Sequence, residues 1–256
     1  MTIALFSDIH ANLPALEAFF SDLDSRQTDA VYCLGDLVGY NTWPNEVINA
    51  IRKRGIPSIA GNYDFGIGRD SQDCGCAYKT DREKEMGQVS ISYTNAVTGA
   101  DERNYLRTLP FHLRVEFQLS NEKTTLMLVH GSPRKINEYL FEDREDKSLL
   151  RMMEEAGADI MCFGHTHIPY HKILEETNNP GRFRHAINIG SVGKPKDGDP
   201  RGCYVLLTLD ESSRPDLKDS VGVQFIRFEY DIEKAASAVE SSVLPNEYAV
   251  MLRNGK

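Results

Sequence analysis

The sequence predicts an α/β fold, two β-sheets with helices outside them, and three features predict it. The first sixty residues run strand, helix, strand, helix, strand, an order that implies parallel strands joined by helical crossovers. Beyond residue 163, short β-type runs are separated by Gly, Pro and Asn, the punctuation of antiparallel strands. Several strand-like runs are apolar along their whole length, so they need cover on both faces.

Taken in order, residues 3–6 (Ile-Ala-Leu-Phe) form the first buried strand. Asn12 before Leu13-Pro14 is a helix-start signal, and Leu13, Leu16, Phe19, Phe20 and Leu23 mark one helical face. Asn12 is therefore expected to be a helix cap. Residues 31–34 are the second strand, 44–54 a helix ended by Gly55, and 56–60 the third strand. Residues 64–110 read as a mostly helical insertion, with helices near 81–97 and 101–109 after a loop-like stretch containing Gly66, Gly68 and Cys74-Gly75-Cys76. The insertion either shapes access to the residues around Asn62 or simply packs. Residues 112–118 alternate as a strand with one wet face, 124–129 form a buried strand, 147–156 a helix and 159–163 another strand. Strands at 168–174, 182–189, 203–209 and 221–230 follow, then helices at 231–241, with Asp231 as cap, and 247–253. Residues 1–256 read as a single domain.

Apolar content of 41% and charged content of 26% fit an ordinary globular chain. No apolar run approaches the ~20 residues that span a bilayer. The first residues enter a strand without a basic region and cleavage site, so the expected location is the cytoplasm. A formal charge of −9 makes long nucleic acid and anionic membranes poor partners. A phosphate-bearing substrate would have to be attracted locally, by metals or a few Arg and Lys. Five cysteines, an odd number, point to reduced thiols. Cys33 and Cys162 sit in apolar runs as small hydrophobes, and Cys74-Gly75-Cys76, lacking a second pair, reads as a loop feature. Oligomeric state leaves no trace in the sequence.

One pattern recurs. Asp8-Ile9-His10 follows residues 3–6, Gly35-Asp36 follows 31–34, and Gly61-Asn62 follows 56–60. His130-Gly131 follows residues 125–129, and Gly164-His165-Thr166-His167 follows 159–163. Each time an apolar run ends and a metal-type ligand appears, where parallel sheets bind ligands. Hard divalent cations favour carboxylate and amide oxygens, and borderline ones favour imidazole; this set offers both.

These blocks, Asp8-x-His10, Gly35-Asp36, Gly61-Asn62-Tyr63-Asp64, His130-Gly131 and Gly164-His165-Thr166-His167, resemble the calcineurin-like metallophosphoesterase family, in that family's order and over most of the chain. The resemblance implies a four-layer αββα sandwich of two mixed β-sheets flanked by helices. It implies two divalent metal ions (Mn, Fe, Zn, Ni or Co), with Asp36 as bridge. Asp8, His10 and His167 would complete one metal, and Asn62, His130 and His165 the other. The expected reaction is hydrolysis of a small phosphodiester or phosphomonoester by a hydroxide shared between metals about 3.5–4 Å apart. Asp36, Asn62, Tyr63 and His130 are the expected catalytic set.

One block departs from the family, which usually has His where this chain has Tyr63. That His commonly donates a proton to the leaving group; a tyrosine, with an ordinary pKa of about 10 against about 6.5, is a weaker acid. His112 and His185 are the other candidates for the task. Asp64 is expected to orient a neighbouring ligand. Arg134, Lys194 and Arg201 are candidate phosphate contacts or plain surface charges, and Ser132 and Ser191 belong to glycine-bearing turns. Two other functions compete: a non-catalytic scaffold of the same fold, which Tyr63 favours and the full set of ligand positions opposes, and a protein serine/threonine phosphatase.

Overall fold

The computed structural model describes residues 1–119 and 122–256. Its strands are Thr2–Phe6 (β1), Ala30–Cys33 (β2), His112–Leu119 (β3), Glu122–Val129 (β4), Ile160–Phe163 (β5), Tyr170–Glu175 (β6), Phe183–Asn188 (β7), Gly202–Thr208 (β8) and Gly222–Phe228 (β9). Its helices are Leu13–Asp24 (α1), Pro44–Arg54 (α2), Asn62–Gly68 (α3), Asp81–Val97 (α4), Ala100–Thr108 (α5), Asp146–Ala156 (α6), Ile232–Glu240 (α7) and Asn246–Asn254 (α8).

The strands form two mixed sheets. The first has the order β2-β1-β8-β9, the second β3-β4-β5-β7-β6. β1 runs parallel to β2 and antiparallel to β8, whereas β5 lies between two parallel partners, β4 and β7. The period-two alternation of a strand sorts the apolar residues. Ile3 and Leu5 of β1 and Ile160 and Cys162 of β5 meet in one core between the sheets. Ala4 and Phe6 face outward into a core shared with α1, α2, α7 and α8. Met161 and Phe163 face outward on the other side, against Leu149, Met152 and Met153 of α6. Both sheets are thus covered on both faces, which is why their central strands are apolar without a break, and the layers run helix, sheet, sheet, helix.

Three expectations need correction. Residues 56–60 do not make a third strand; they make one bridge, Cys33 to Ser58. Pro57 has no N–H to extend the ladder, and past Ile59 the chain turns away, Ala60 donating to Pro110 O at 2.8 Å. The insertion is expected to turn helical only near residue 81, yet Asn62–Gly68 already forms helix α3. The two glycines let α3 pack closely: a Cβ at Gly66 would meet Cys74 Sγ, and one at Gly68 would meet Leu106 of α5. The second half is not purely antiparallel either, since β7 joins β5 in parallel register.

Elsewhere local rules hold. Asn12 caps α1, its Oδ1 accepting from Ala15 N at 3.2 Å, and Asp231 caps α7 through Lys234 N. Gly55 and Gly157 end α2 and α6 in the left-handed conformation. All five cysteines are free. No helix among the described residues is long and apolar enough to cross a membrane.

Candidate metal centre

At the carboxyl ends of β1, β2 and β5 the backbone turns left-handed at residues that are not glycine. Asp8 (φ 54°), His10 (φ 50°), Asp36 (φ 53°), His165 (φ 66°) and His167 (φ 62°) all occupy this region. Each such residue costs on the order of 1 kcal/mol or more, and clusters of them mark functional sites. Hydrogen bonds between the turns hold them: Asp8 N donates to Gly35 O at 2.9 Å, His10 N to Asp36 O at 3.0 Å, and Gly164 N to His130 O at 2.9 Å. Gly61 is required by proximity, because a Cβ there would collide with the Asp36 carboxylate.

Seven side chains converge as a result, all 0–4% exposed: Asp8, His10, Asp36, Asn62, His130, His165 and His167. Two groups lie with their ligand atoms within 4.8 Å of one another, Asp8-His10-His167 and Asp36-His130-His165. Asp36 Oδ2 reaches both, at 3.6 Å from His10 Nε2 and 3.3 Å from His130 Nε2.

Hydrogen bonds around the rim decide which face each group turns inward. Nδ1–H of His10 donates to Val38 O (3.0 Å), that of His130 to Leu34 O (2.8 Å) and that of His167 to Lys194 O (2.5 Å). A neutral imidazole that donates from Nδ1 presents a lone pair at Nε2. Asn62 donates through Nδ2 to Cys74 O at 2.8 Å, which turns its Oδ1 inward. Asp8 uses Oδ2 to accept from Ser7 Oγ (2.6 Å) and His165 N (3.1 Å), and Asp36 uses Oδ1 to accept from Tyr63 N (2.9 Å). Every atom left facing the interior is an acceptor. His10 Nε2 faces His167 Nε2 at 3.2 Å, and His130 Nε2 faces Asn62 Oδ1 at 3.2 Å. Asp8 Oδ1 and His165 Nε2 are buried without any hydrogen-bond partner among the described residues.

A buried ring of acceptors is repulsive unless positive charge sits among them. The titration of the groups expresses the same deficit. Burial pushes His130 down, but Asp36 and Asp8 outweigh it and raise the imidazole to about 10. Burial drives His165 to about 3, helped by the charge of His130, and drives His167 to about 3, helped by Lys196. Burial disfavours ionised Asp8, yet the facing His167, His130 and His10 hold its carboxyl well below the usual range. With cations in place no histidine need be protonated. The donor set of two carboxylates, one amide oxygen and four imidazoles therefore fits a pair of divalent ions.

Asp64 accepts from Leu37 N (2.9 Å) and Gly61 N (3.0 Å), so it braces the turns on either side of Asp36. Burial, then the Asp36 charge, raise its carboxyl to about 7. The Tyr63 ring lies edge-on to His10, with centroids 5.6 Å apart, and against Tyr40 at 4.8 Å. Its hydroxyl is buried without a partner among the described residues, and burial followed by the Tyr40 neighbour pushes it well above 10. His112 is exposed at the start of β3, and His185 is bonded to His171 at 3.0 Å on the β6–β7 ladder, so neither enters the centre. Arg134 is paired with Glu138 and Arg201 with Asp199. Lys194 is buried with its ammonium near Lys256 O and over the Tyr40 ring. Ser132 Oγ accepts from Arg134 N and Lys135 N within its turn, and Ser191 Oγ donates to Asp8 O at 2.7 Å.

Some participants gave no sequence signal. Tyr139 places its ring 4.1 Å from that of His165. Asn41 holds His10 O, and Asn188 holds Gly164 O and Thr166 Oγ1. The Cys74-Gly75-Cys76 loop orients Asn62 through Cys74 O, with Cys76 Sγ 3.4 Å from Asn62 Nδ2.

The profile of the calcineurin-like phosphoesterase superfamily domain matches residues 1–212. The chain belongs to that family. It is 34% identical to an uncharacterized protein of Methanocaldococcus jannaschii, over 95% of this chain and 93% of that one. A metallophosphoesterase from Sphaerobacter thermophilus has a similar structure, with a TM-score of 0.70 at 28% identity, covering 100% of this chain and 99% of the other. A UDP-2,3-diacylglucosamine hydrolase from Sodalis glossinidius is 27% identical over 73% of this chain and 89% of its own. The family is metal-dependent, and this chain carries two His/Asp clusters that could each hold a metal.

Proposed function

We propose that the protein hydrolyses a small phosphate ester at two divalent cations held by Asp8, His10 and His167 on one side and by Asn62, His130 and His165 on the other, with Asp36 between them. The ring of inward-facing acceptors carries this reading, since seven buried side chains that aim lone pairs at one another have one economical use. Bound there, such cations supply Lewis acidity toward phosphoryl oxygens and bring the pKa of water toward neutrality. The chain's own contribution is orientation. Val38 O, Leu34 O and Lys194 O fix three histidine tautomers, and Asp64 holds the Asp36 and Asn62 turns in register. The buried Tyr63 hydroxyl, held well above 10, is poorly suited to protonate a leaving group, which would take its proton from solvent or from water at the centre instead.

A small substrate is favoured because every ligand side chain is buried, and the net charge of −9 disfavours long polyanions. Protein loaded with Mn²⁺, Fe²⁺, Co²⁺, Ni²⁺ or Zn²⁺ should hydrolyse p-nitrophenyl phosphate or its bis ester, and Asp36→Ala should not. Absence of turnover with every metal, in protein that binds two ions per chain, would favour the scaffold function. Preferential release of phosphate from phosphopeptides would favour the protein phosphatase.

A further inference from the structure

The segment carrying Ser191 to Lys196 is laid directly on the metal-ligand turns. Gly193 N donates to Asp8 O at 3.0 Å, and Asn12 Nδ2 donates to Gly193 O at 2.8 Å. A Cβ at residue 193 would run into Ile9 O, so only glycine permits this approach. Lys194 O accepts from His167 Nδ1, and Lys196 N donates to His167 O at 3.3 Å. Past Lys196 the segment is tied down again. Asp197 pairs with Arg227 of β9, and Gly198 N donates to Gly255 O at 2.8 Å just beyond α8. Lys196 therefore stands on a clamped stretch of backbone at the rim of the centre.

Its side chain is partly buried, yet among the described residues no ion pair or hydrogen bond holds its ammonium. Arg134, Arg201 and Lys194, the cations expected from sequence to meet phosphate, are all engaged elsewhere. The charge of Lys196 acts on groups from both halves of the site: His10 and His167 on one side, His165 on the other. Burial lowers the pKa of its ammonium, Cys76, Asp8 and Asp36 oppose that shift, and Cys76 lies beside Asn62. The Lys196 backbone is bonded to the His167 turn, and its charge is felt by ligands of both half-sites.

We propose that Lys196 is a substrate-binding residue, taking a phosphate oxygen and favouring a dianionic phosphomonoester over a monoanionic diester. The inference rests on the phosphoesterase reading and deepens it. Two dications against Asp8 and Asp36 leave two positive charges; Lys196 adds a third, which a dianion offsets better than a monoanion. The lysine lies twenty-nine residues beyond His167, the last ligand, which is why no motif announces it.

Lys196→Gln in the metal-loaded protein tests this, with metal content, calorimetric binding of inorganic phosphate, and turnover of p-nitrophenyl phosphate and its bis ester measured together. Two metals per chain should remain. Phosphate affinity and kcat/KM for the monoester should fall about 10- to 100-fold, the loss expected of one charge-assisted hydrogen bond. The loss should lie mainly in KM, be several-fold smaller for the diester, and be partly restored in Lys196→Arg. Unchanged phosphate binding, or equal losses on both esters, overturns the inference while active wild-type protein leaves the phosphoesterase reading intact. Loss of metal in Lys196→Gln also overturns it, since the lysine would then act on assembly of the centre. If wild-type protein turns over neither ester but binds phosphate in a Lys196-dependent way, the function falls and the binding role stands.

Discussion

The two halves of the centre are built to different standards. In the Asp8-His10-His167 half, both imidazoles are clamped by backbone carbonyls, and the carboxylate is held by Ser7 Oγ and His165 N. In the other half, His130 is clamped equally well, but Asn62 hangs from a loop carbonyl, Cys74 O. His165 has no hydrogen bond to its ring among the described residues; the Tyr139 ring lies against it instead, tilted by 39°. A carbonyl fixes both tautomer and direction, whereas a tilted ring contact fixes neither. The first half should hold its ion tightly, and the second should exchange. Chelator titration should accordingly remove one ion per chain well before the other.

Asp36→Ala gives the largest effect and erases the comparison. Its Oδ2 faces both halves, so metal content should fall in both and turnover should vanish; retention of one tightly bound ion would show that the halves are independent. Acid stability comes next and supplies a control outside the centre. Burial, then the neighbouring His171, depress His185 to about 4. The unfolded chain takes up that proton near pH 6.5 and the folded chain only near 4, so stability present above pH 6.5 is lost as pH falls to 4. The loss is about 3 kcal/mol. It should appear in metal-loaded and metal-free protein alike and be absent in His185→Leu, read from midpoints of thermal unfolding against pH. His165 and His167 should add to the acid loss only when metal is absent, because a ligated imidazole is already neutral.

Asp64→Asn is a smaller perturbation. The amide can accept through one atom where the carboxylate accepts from Leu37 N and Gly61 N through two, so one buried N–H loses its acceptor. Denaturant titration should show about 1–3 kcal/mol of destabilisation. Tyr139→Ala is the finest probe. It should weaken the second ion about tenfold and leave the first unchanged, which competition with a metal indicator would resolve. An equal loss at both ions would mean that the ring contact with His165 does not distinguish them.

Much of this was legible in the sequence where local rules act alone. The ligand blocks stood out because each follows an apolar run, and the caps at Asn12 and Asp231 followed from side chains that bond their own backbone. Misreadings came where packing overrode a local preference. Pro57 broke a ladder that apolar content suggested, and α3 formed across Gly66 and Gly68 because Cys74 and Leu106 needed the space. Tyr139 and Lys196 could not be seen at all. Each reaches the centre through a loop whose path depends on hydrogen bonds to distant backbone, such as Asn137 Nδ2 to Gly75 O or Gly198 N to Gly255 O.

The ligands also come from both sheets. Asp8 and Asp36 end strands of the first, while His130, His165 and His167 end strands of the second. Metal binding there would cross-link two halves of the molecule otherwise joined mainly by aliphatic contact, and the ions would act as a clasp at one end of the inter-sheet seam. Removing them would do more than silence a reaction: it would leave like-charged and lone-pair surfaces facing each other at that end, making it the place where the two layers first part.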